Sequence, residues 1–235
     1  VIGTLKDTID DLRELGAKDL VEKCTLPQSP TAASSRPGLA LNQEQATALA
    51  DLLAAGEGFS CHLLEGVTGA GKTEVYLQLI AACLARGRQA LVLIPEIGLT
   101  PQTLDRFNQR FDAHIAVLHS GLGEAERYRS WEAARDGSAH IIVGTRSAIF
   151  TPLRTPGVII VDEEHDGSYK QQDGFRYSAR DVAVKRGQLD DCLVLLGSAT
   201  PSLESLHNVA TGRYRLHRLH QRAGASVLPT ISAID

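Results

Sequence analysis

The chain has no methionine, no Cys-x-x-Cys pair, no apolar run approaching roughly 18 residues, and no large excess of charge of either sign. Each absence removes a class of protein. Without a long apolar run, and with an N-terminus (VIGTLKDTIDD) that has neither a basic start nor an apolar stretch, no membrane or secretory reading is supported. The four cysteines, Cys24, Cys61, Cys83 and Cys192, are widely separated, which argues against a zinc site or a disulfide framework and fits a reducing, cytoplasmic setting. A formal charge of −4 means that nucleic-acid affinity cannot come from bulk electrostatics and must be local. The missing methionine, with Val1 as first residue, leads us to expect a piece of a longer polypeptide. No internal repeat is visible.

What is present is enough for a core: 235 residues, 43% of them hydrophobic. Residues 1–26 carry Ile9, Leu12 and Leu15 at helical spacing but are too few to bury a core alone. PQSPTAASSRPG (27–38), with three prolines and many small polar residues, reads as a flexible linker. From residue 39 onward, short apolar runs (CHLLEG, QALVLIPE, HIAVLHSG, AHIIVGTR, GVIIVDEE, CLVLLGSAT) alternate with helix-periodic segments such as TEVYLQLIAACLARG and SARDVAVKRGQL. Strands apolar on both faces and separated by helices predict an α/β fold, with a mainly parallel sheet covered on both sides. In such sheets ligands sit beyond the carboxyl ends of the strands.

The motifs fall at those ends. GVTGAGKT (Gly66, Val67, Thr68, Gly69, Ala70, Gly71, Lys72, Thr73) follows a strand and opens a helix, the context a phosphate-binding P-loop requires. Its glycines let backbone N–H groups turn toward phosphate oxygens, Lys72 neutralises β and γ phosphates, and Thr73 is placed to ligate Mg²⁺. GVIIVDEEH supplies the complementary acids: Asp162 as the second Mg²⁺ partner and Glu163 to orient and activate water. Glu163 favours a hydrolase over a phosphotransferase, which has no need of a water-activating base. His165 suits a γ-phosphate sensor or a structural hydrogen-bonding residue. Gln45, about twenty residues before the P-loop at a helix start, offers the donor and acceptor that an adenine edge requires, or is an ordinary exposed glutamine.

The order LNxEQ, GVTGAGKTEVYL, LIPEIGLTPQ, LHSGL, VGTRSAIF, VDEEHDGSYKQQ and GSATPS, from about Leu39 to Arg222, resembles the PriA replication-restart helicases of superfamily 2. The resemblance implies a RecA-like first motor lobe (39–222), with 1–26 as the tail of a winged-helix-like region and 223–235 as the start of a connection to a second lobe. It implies an ATP- and Mg²⁺-dependent DNA helicase that moves 3′ to 5′, unwinds stalled forks and serves primosome assembly. It casts Gln45 as the adenine reader. Single-stranded and forked DNA, primosome proteins and single-strand-binding proteins are the implied partners; a monomer, associated with the nucleoid, is expected. The family's zinc belongs to an insertion whose ligands this chain does not contain. Ala70 stands where many members have serine, and Ser178 where histidine is common.

On the DNA side, Thr100, Gln102, Thr145, Arg146 and Ser147 sit in PEIGLTPQ and GTRSAIF, where strand ends lead to helix starts that can grip phosphates; helix capping is the alternative for each. In DGSYKQQDGFRYSARD, Tyr169, Phe175 and Tyr177 alternate with Lys170, Arg176 and Arg180 and are spaced by Gly167 and Gly174, a composition for stacking bases, or for packing at the sheet edge. Ser198 and Thr200 of GSAT are placed to bridge the acidic box to the DNA side, or to cap a helix. The basic stretch 207–222 is a DNA or inter-lobe surface or a solvated edge strand. The isolated chain is expected to bind ATP and hydrolyse it poorly, since such motors take an arginine from the second lobe. The alternative is a nucleotide-binding scaffold without motor activity.

Overall fold

The computed structural model describes residues 33–56 and 58–222, so the expectations for 1–26 and 223–235 lie outside the described residues. Along the chain run β1 (Ser34–Ser35), α1 (Gln43–Ala54), β2 (Ser60–Gly66), α2 (Lys72–Ala85), β3 (Gln89–Leu93), α3 (Pro101–Arg110), β4 (Phe111–Asp112) and β5 (Ile115–Leu118). There follow α4 (Glu124–Asp136), β6 (Ile141–Gly144), β7 (Pro156–Val161), β8 (Lys170–Gln171), β9 (Tyr177–Ser178), α5 (Ala179–Leu189), β10 (Leu193–Ser198), α6 (Leu203–Ala210) and β11 (Arg215–Leu219). Seven strands form one parallel sheet in the order β11-β2-β10-β7-β3-β6-β5.

The apolar runs are strands because successive residues feed opposite faces. Ala90, Val92 and Ile94 enter one core with Leu49, Val75, Ile80 and Phe107 of α1, α2 and α3. Leu91 and Leu93 enter the other, with Ala134, Ala179 and Ala183 of α4 and α5. All six predicted strands are present, and the doubly covered parallel sheet is the expected α/β architecture.

The strand order matters for function. Because β2, β10 and β7 are neighbours, their carboxyl ends bring Gly66, Ser198 and Asp162 to one edge of the sheet. One expectation changes here. The described part of the 27–38 segment is held to the sheet domain: Ser34 and Ser35 pair with Asp112 and Phe111, and Arg36 N donates to Arg110 O at 2.8 Å. Leu39 N then donates to Glu74 Oε1 at 3.1 Å. Small polar residues leave the backbone unencumbered, and here it finds a partner strand. The basic stretch 207–222 ends as edge strand β11, with Arg215 and Arg218 outward and His217 and Leu219 inward.

Candidate nucleotide site

The P-loop leaves β2 and turns into α2 through Gly69 and Gly71, at φ of 82° and 79°, a region in which a side chain is strained. Gly66 is packed against Leu219 and Lys72, so a side chain there would make them give way by a few tenths of an ångström. The turn delivers the N-terminus of α2, with its free N–H groups and positive dipole end, to the floor of a cleft of about 740 Å³. An adjoining hollow of about 580 Å³ shares Thr68, Thr73, Asp162 and Glu163 and continues to His165 and Thr200.

Lys72 is buried; its Nζ donates to Gly66 O at 2.9 Å and lies 3.4 Å from Glu163 Oε1. Glu163 adopts φ 45°, unusual for a side-chain-bearing residue, and its carboxylate faces Lys72. Its Oε2 accepts from Ala199 N at 3.3 Å. Asp162 is tied by its backbone N–H to Leu93 O at 2.9 Å, and its Oδ1 accepts from Tyr76 Oη at 3.0 Å. Burial, then the neighbouring Glu163 charge, raise the Asp162 pKa; the Tyr76 hydrogen bond and Lys72 work against that rise. Two adjacent carboxylates, one desolvated, beside a threonine at a helix N-terminus are a donor set that suits a hard divalent cation. Asp162 and Thr73 would hold it.

Gln45 is only 3% exposed. It closes a capping box with Asn42, its Oε1 accepting from Asn42 N at 2.9 Å, and its Nε2 donates to Ala70 O at 2.7 Å. The amide thus fastens α1 to the P-loop from a buried position behind the cleft. His165 Nδ1 and Ser198 Oγ are 2.7 Å apart, and Thr200 N donates to the same Ser198 oxygen at 3.0 Å. Ser198 is buried, so it links the acidic box to the GSAT turn from inside.

The structure decides between the alternatives at several DNA-side residues. Tyr169 is 1% exposed and its hydroxyl donates to Asp162 O at 2.7 Å, so this ring packs in the core and is unavailable for stacking. Thr145, 3% exposed, is likewise out of reach of a strand, because it starts a tight turn whose backbone bonds Leu118 O. The Arg146 guanidinium donates to Ser168 O at 3.0 Å and Lys170 O at 3.3 Å, bracing the aromatic loop. Ser147 is exposed beside it, and Lys170 and Arg176 are exposed on the loop itself. Phe175 stands 79% exposed at the tip of the β8–β9 hairpin, while Tyr177, half-buried, meets Phe150 edge-on at 4.9 Å between centroids. Thr100 caps α3, accepting from Thr103 N at 3.2 Å, and Gln102 is exposed on its first turn.

The family model described as DEAD/DEAH box helicase matches residues 42–209, six of the seven strands of the sheet and the motifs at their ends. The chain belongs to the DEAD/DEAH box helicase family. Within it, Replication restart protein PriA of Haemophilus influenzae is 50% identical over 231 residues, covering 94% of this chain and 32% of that protein. Replication restart protein PriA of Bacillus subtilis is 50% identical over 173 residues, covering 74% of this chain and 22% of that protein. These relatives bear out the resemblance to PriA; the chain spans a third of their length or less. A solved structure of RecG bound to a three-way DNA junction superposes at a TM-score of 0.59 with 21% identity, over 80% of this chain and 25% of that one, which speaks for the RecA-like fold. No helix among the described residues is long and apolar enough to cross a membrane, and these residues contain no group of three or more His, Cys, Asp or Glu able to hold a metal.

Two parts of this helicase site went unseen in the sequence. Glu164, third letter of the DEEH box, is buried and accepts from Ser202 N at 2.7 Å, Ser202 Oγ and Ser205 Oγ at 3.0 Å, and Arg180 Nη1 at 3.2 Å. It anchors the acidic box to the start of α6. Tyr76 is the other. It lies four residues after Lys72, hence on the same helix face, and that spacing was a usable signal.

Proposed function

We propose that this chain is the ATP-binding lobe of a PriA-type DNA helicase that moves 3′ to 5′ and couples ATP hydrolysis to unwinding at stalled forks, in replication restart and primosome assembly. The observation that carries the reading is the 3.4 Å approach of Lys72 Nζ to Glu163 Oε1 across the P-loop cleft. A phosphate-neutralising cation and a water-activating base face each other over a floor of backbone N–H groups.

In this reading Gly66, Val67, Thr68, Gly69, Ala70 and Gly71 wrap the phosphates. Lys72 exchanges the Gly66 carbonyl and Glu163 for β and γ oxygens, and Gln45 holds the loop while offering its remaining amide positions to adenine. Mg²⁺, when bound by Thr73 and Asp162, offsets charge on the phosphates. Glu163, released from Lys72 by the incoming phosphate, orients water in line and takes its proton. His165 and Ser198 relay the state of the acidic box to Thr200. Thr100, Gln102, Ser147, Phe175, Lys170 and Arg176 offer phosphate contacts, charge and a stacking surface for single-stranded or forked DNA. Primosome and single-strand-binding proteins are the expected partners, with a monomer in the nucleoid-containing cytoplasm as the working form.

An arginine from a second lobe is worth about 10³ to 10⁵ in rate, so the isolated chain binds ATP and turns it over poorly. The test is ATP hydrolysis titrated with single-stranded DNA, for this chain alone and for the longer protein that contains it. DNA-stimulated turnover in the longer protein, abolished by Glu163→Gln, is the expected result. Turnover insensitive to DNA or to Glu163→Gln would contradict the reading.

A further inference from the structure

Two buried tyrosines converge on Asp162 from different parts of the chain. Tyr76, on α2, donates its hydroxyl to Asp162 Oδ1 at 3.0 Å, and Tyr169 donates its hydroxyl to the Asp162 carbonyl at 2.7 Å. Both rings are almost wholly removed from solvent, at 3% and 1% exposure. A buried phenol needs an acceptor, and each takes one from the same residue.

The surroundings of both rings are built to keep them there. A Cβ at Gly197 would collide with the Tyr76 hydroxyl, so the glycine of GSAT is the space that the ring occupies. Tyr169 is fixed from the other side, because Arg146 bonds the carbonyls of Ser168 and Lys170 that flank it. Asp162 is therefore gripped twice: one carboxylate oxygen by Tyr76, which stops rotation of the carboxylate, and the backbone by Tyr169.

Groups behind a metal-binding carboxylate orient it, and their loss commonly weakens metal affinity by about 10- to 100-fold. We propose that Tyr76 and Tyr169 are positioning residues for the divalent cation of the nucleotide site, acting through Asp162 and not through the nucleotide itself. The proposal rests on the nucleotide-site reading above. It assigns the two rings a role apart from DNA stacking. It also makes the glycine of GSAT part of the metal site, as the room for Tyr76.

The experiment titrates a fluorescent ATP analogue against the chain, first in EDTA and then over a Mg²⁺ series, for wild type, Tyr76→Phe, Tyr169→Phe and Asp162→Asn. Each phenylalanine keeps the ring and removes only the hydroxyl. The expected result is a Mg²⁺ midpoint raised about tenfold in each tyrosine variant, with affinity in EDTA unchanged within about twofold. Tyr76→Phe added to Asp162→Asn should shift the midpoint no further, since the effect passes through that carboxylate. Unchanged midpoints in both tyrosine variants would overturn the proposal. So would equal losses with and without Mg²⁺, the signature of a loosened core. If Tyr76→Phe does not fold, Tyr169→Phe decides alone, its hydroxyl touching only a backbone carbonyl. A wild-type chain that binds no nucleotide would instead overturn the nucleotide-site reading.

Discussion

Lys72 and Glu163 form an ion pair, Nζ to Oε1 at 3.4 Å, where an ATP γ phosphate would otherwise sit against the lysine. Removing the acid leaves Lys72 freer for phosphate and takes away the base. Glu163→Gln is therefore expected to bind ATP at least as tightly as wild type, while DNA-stimulated hydrolysis by the longer protein falls about 10²- to 10⁴-fold. Equilibrium binding and steady-state hydrolysis on the same preparation check both halves.

Glu164 and Arg180 make a buried ion pair at 3.2 Å, with Ser202 and Ser205 filling the remaining acceptor positions of the carboxylate. Glu164→Ala leaves Arg180 to Asp181 and the Ser202 hydroxyl but removes the acceptor of Ser202 N and Ser205 Oγ, and the expected cost is about 1–3 kcal/mol. Glu164→Gln keeps one acceptor oxygen and the side-chain volume, and should cost less. Urea denaturation of the chain measures the two against wild type.

The rings of the aromatic segment should separate cleanly under substitution. Phe175→Ala, at an exposed hairpin tip, should leave stability within about 0.5 kcal/mol and reduce the stimulation of ATP hydrolysis by single-stranded DNA. Tyr169→Ala should cost about 3–5 kcal/mol in folding, as for other buried aromatics cut to alanine. Thermal melts beside a DNA titration separate the two effects.

At the β2–β11 edge, His62 Nδ1 and His217 Nε2 are 3.0 Å apart and the rings are stacked. Burial first, then the charges of His217 and Arg215, hold the His62 pKa down at about 4, with Asp51 opposing; burial lowers His217 as well. Between the ordinary value of 6.5 and about 4 the unfolded chain therefore binds protons that the folded chain refuses, so stability is lost as pH falls through that window. Ser60, which meets His62 Nε2 at 3.1 Å, does not titrate and leaves that sign unchanged. The melting temperature should drop between these pH values, and His62→Gln should make the drop shallower.

The strands, the P-loop and the acidic box were legible in the sequence because each depends on local pattern: two-residue alternation, glycines at left-handed turns, and acids after an apolar strand. For Tyr169 the sequence leaves stacking and packing both open, because no apolar run surrounds it, and the structure decides for packing. Its ring is buried in the core cluster that holds Leu93, Ile149 and Val161, residues that no local pattern connects to it. Thr145 is open for a similar reason, and its place at the start of the 146–150 turn, with 3% exposure, decides against a phosphate contact. The serine- and proline-rich stretch before residue 39 looked free because nothing in its composition shows that Phe111 and Asp112 will pair with it. The basic 207–222 stretch has no alternating apolar run to mark it as a strand, and it is its place beside β2 that makes residues 215–219 an edge strand.

The central claim is that the cleft over Gly66–Thr73 binds a nucleoside triphosphate through Lys72. Its most direct test is equilibrium binding of ATP with Mg²⁺ to the 235-residue chain, wild type beside Lys72→Ala, with folding verified by thermal melts. The account predicts saturable binding by wild type and a loss of at least about tenfold in the variant, the loss of a charge-assisted hydrogen bond to phosphate. Equal affinity in the two proteins would contradict it.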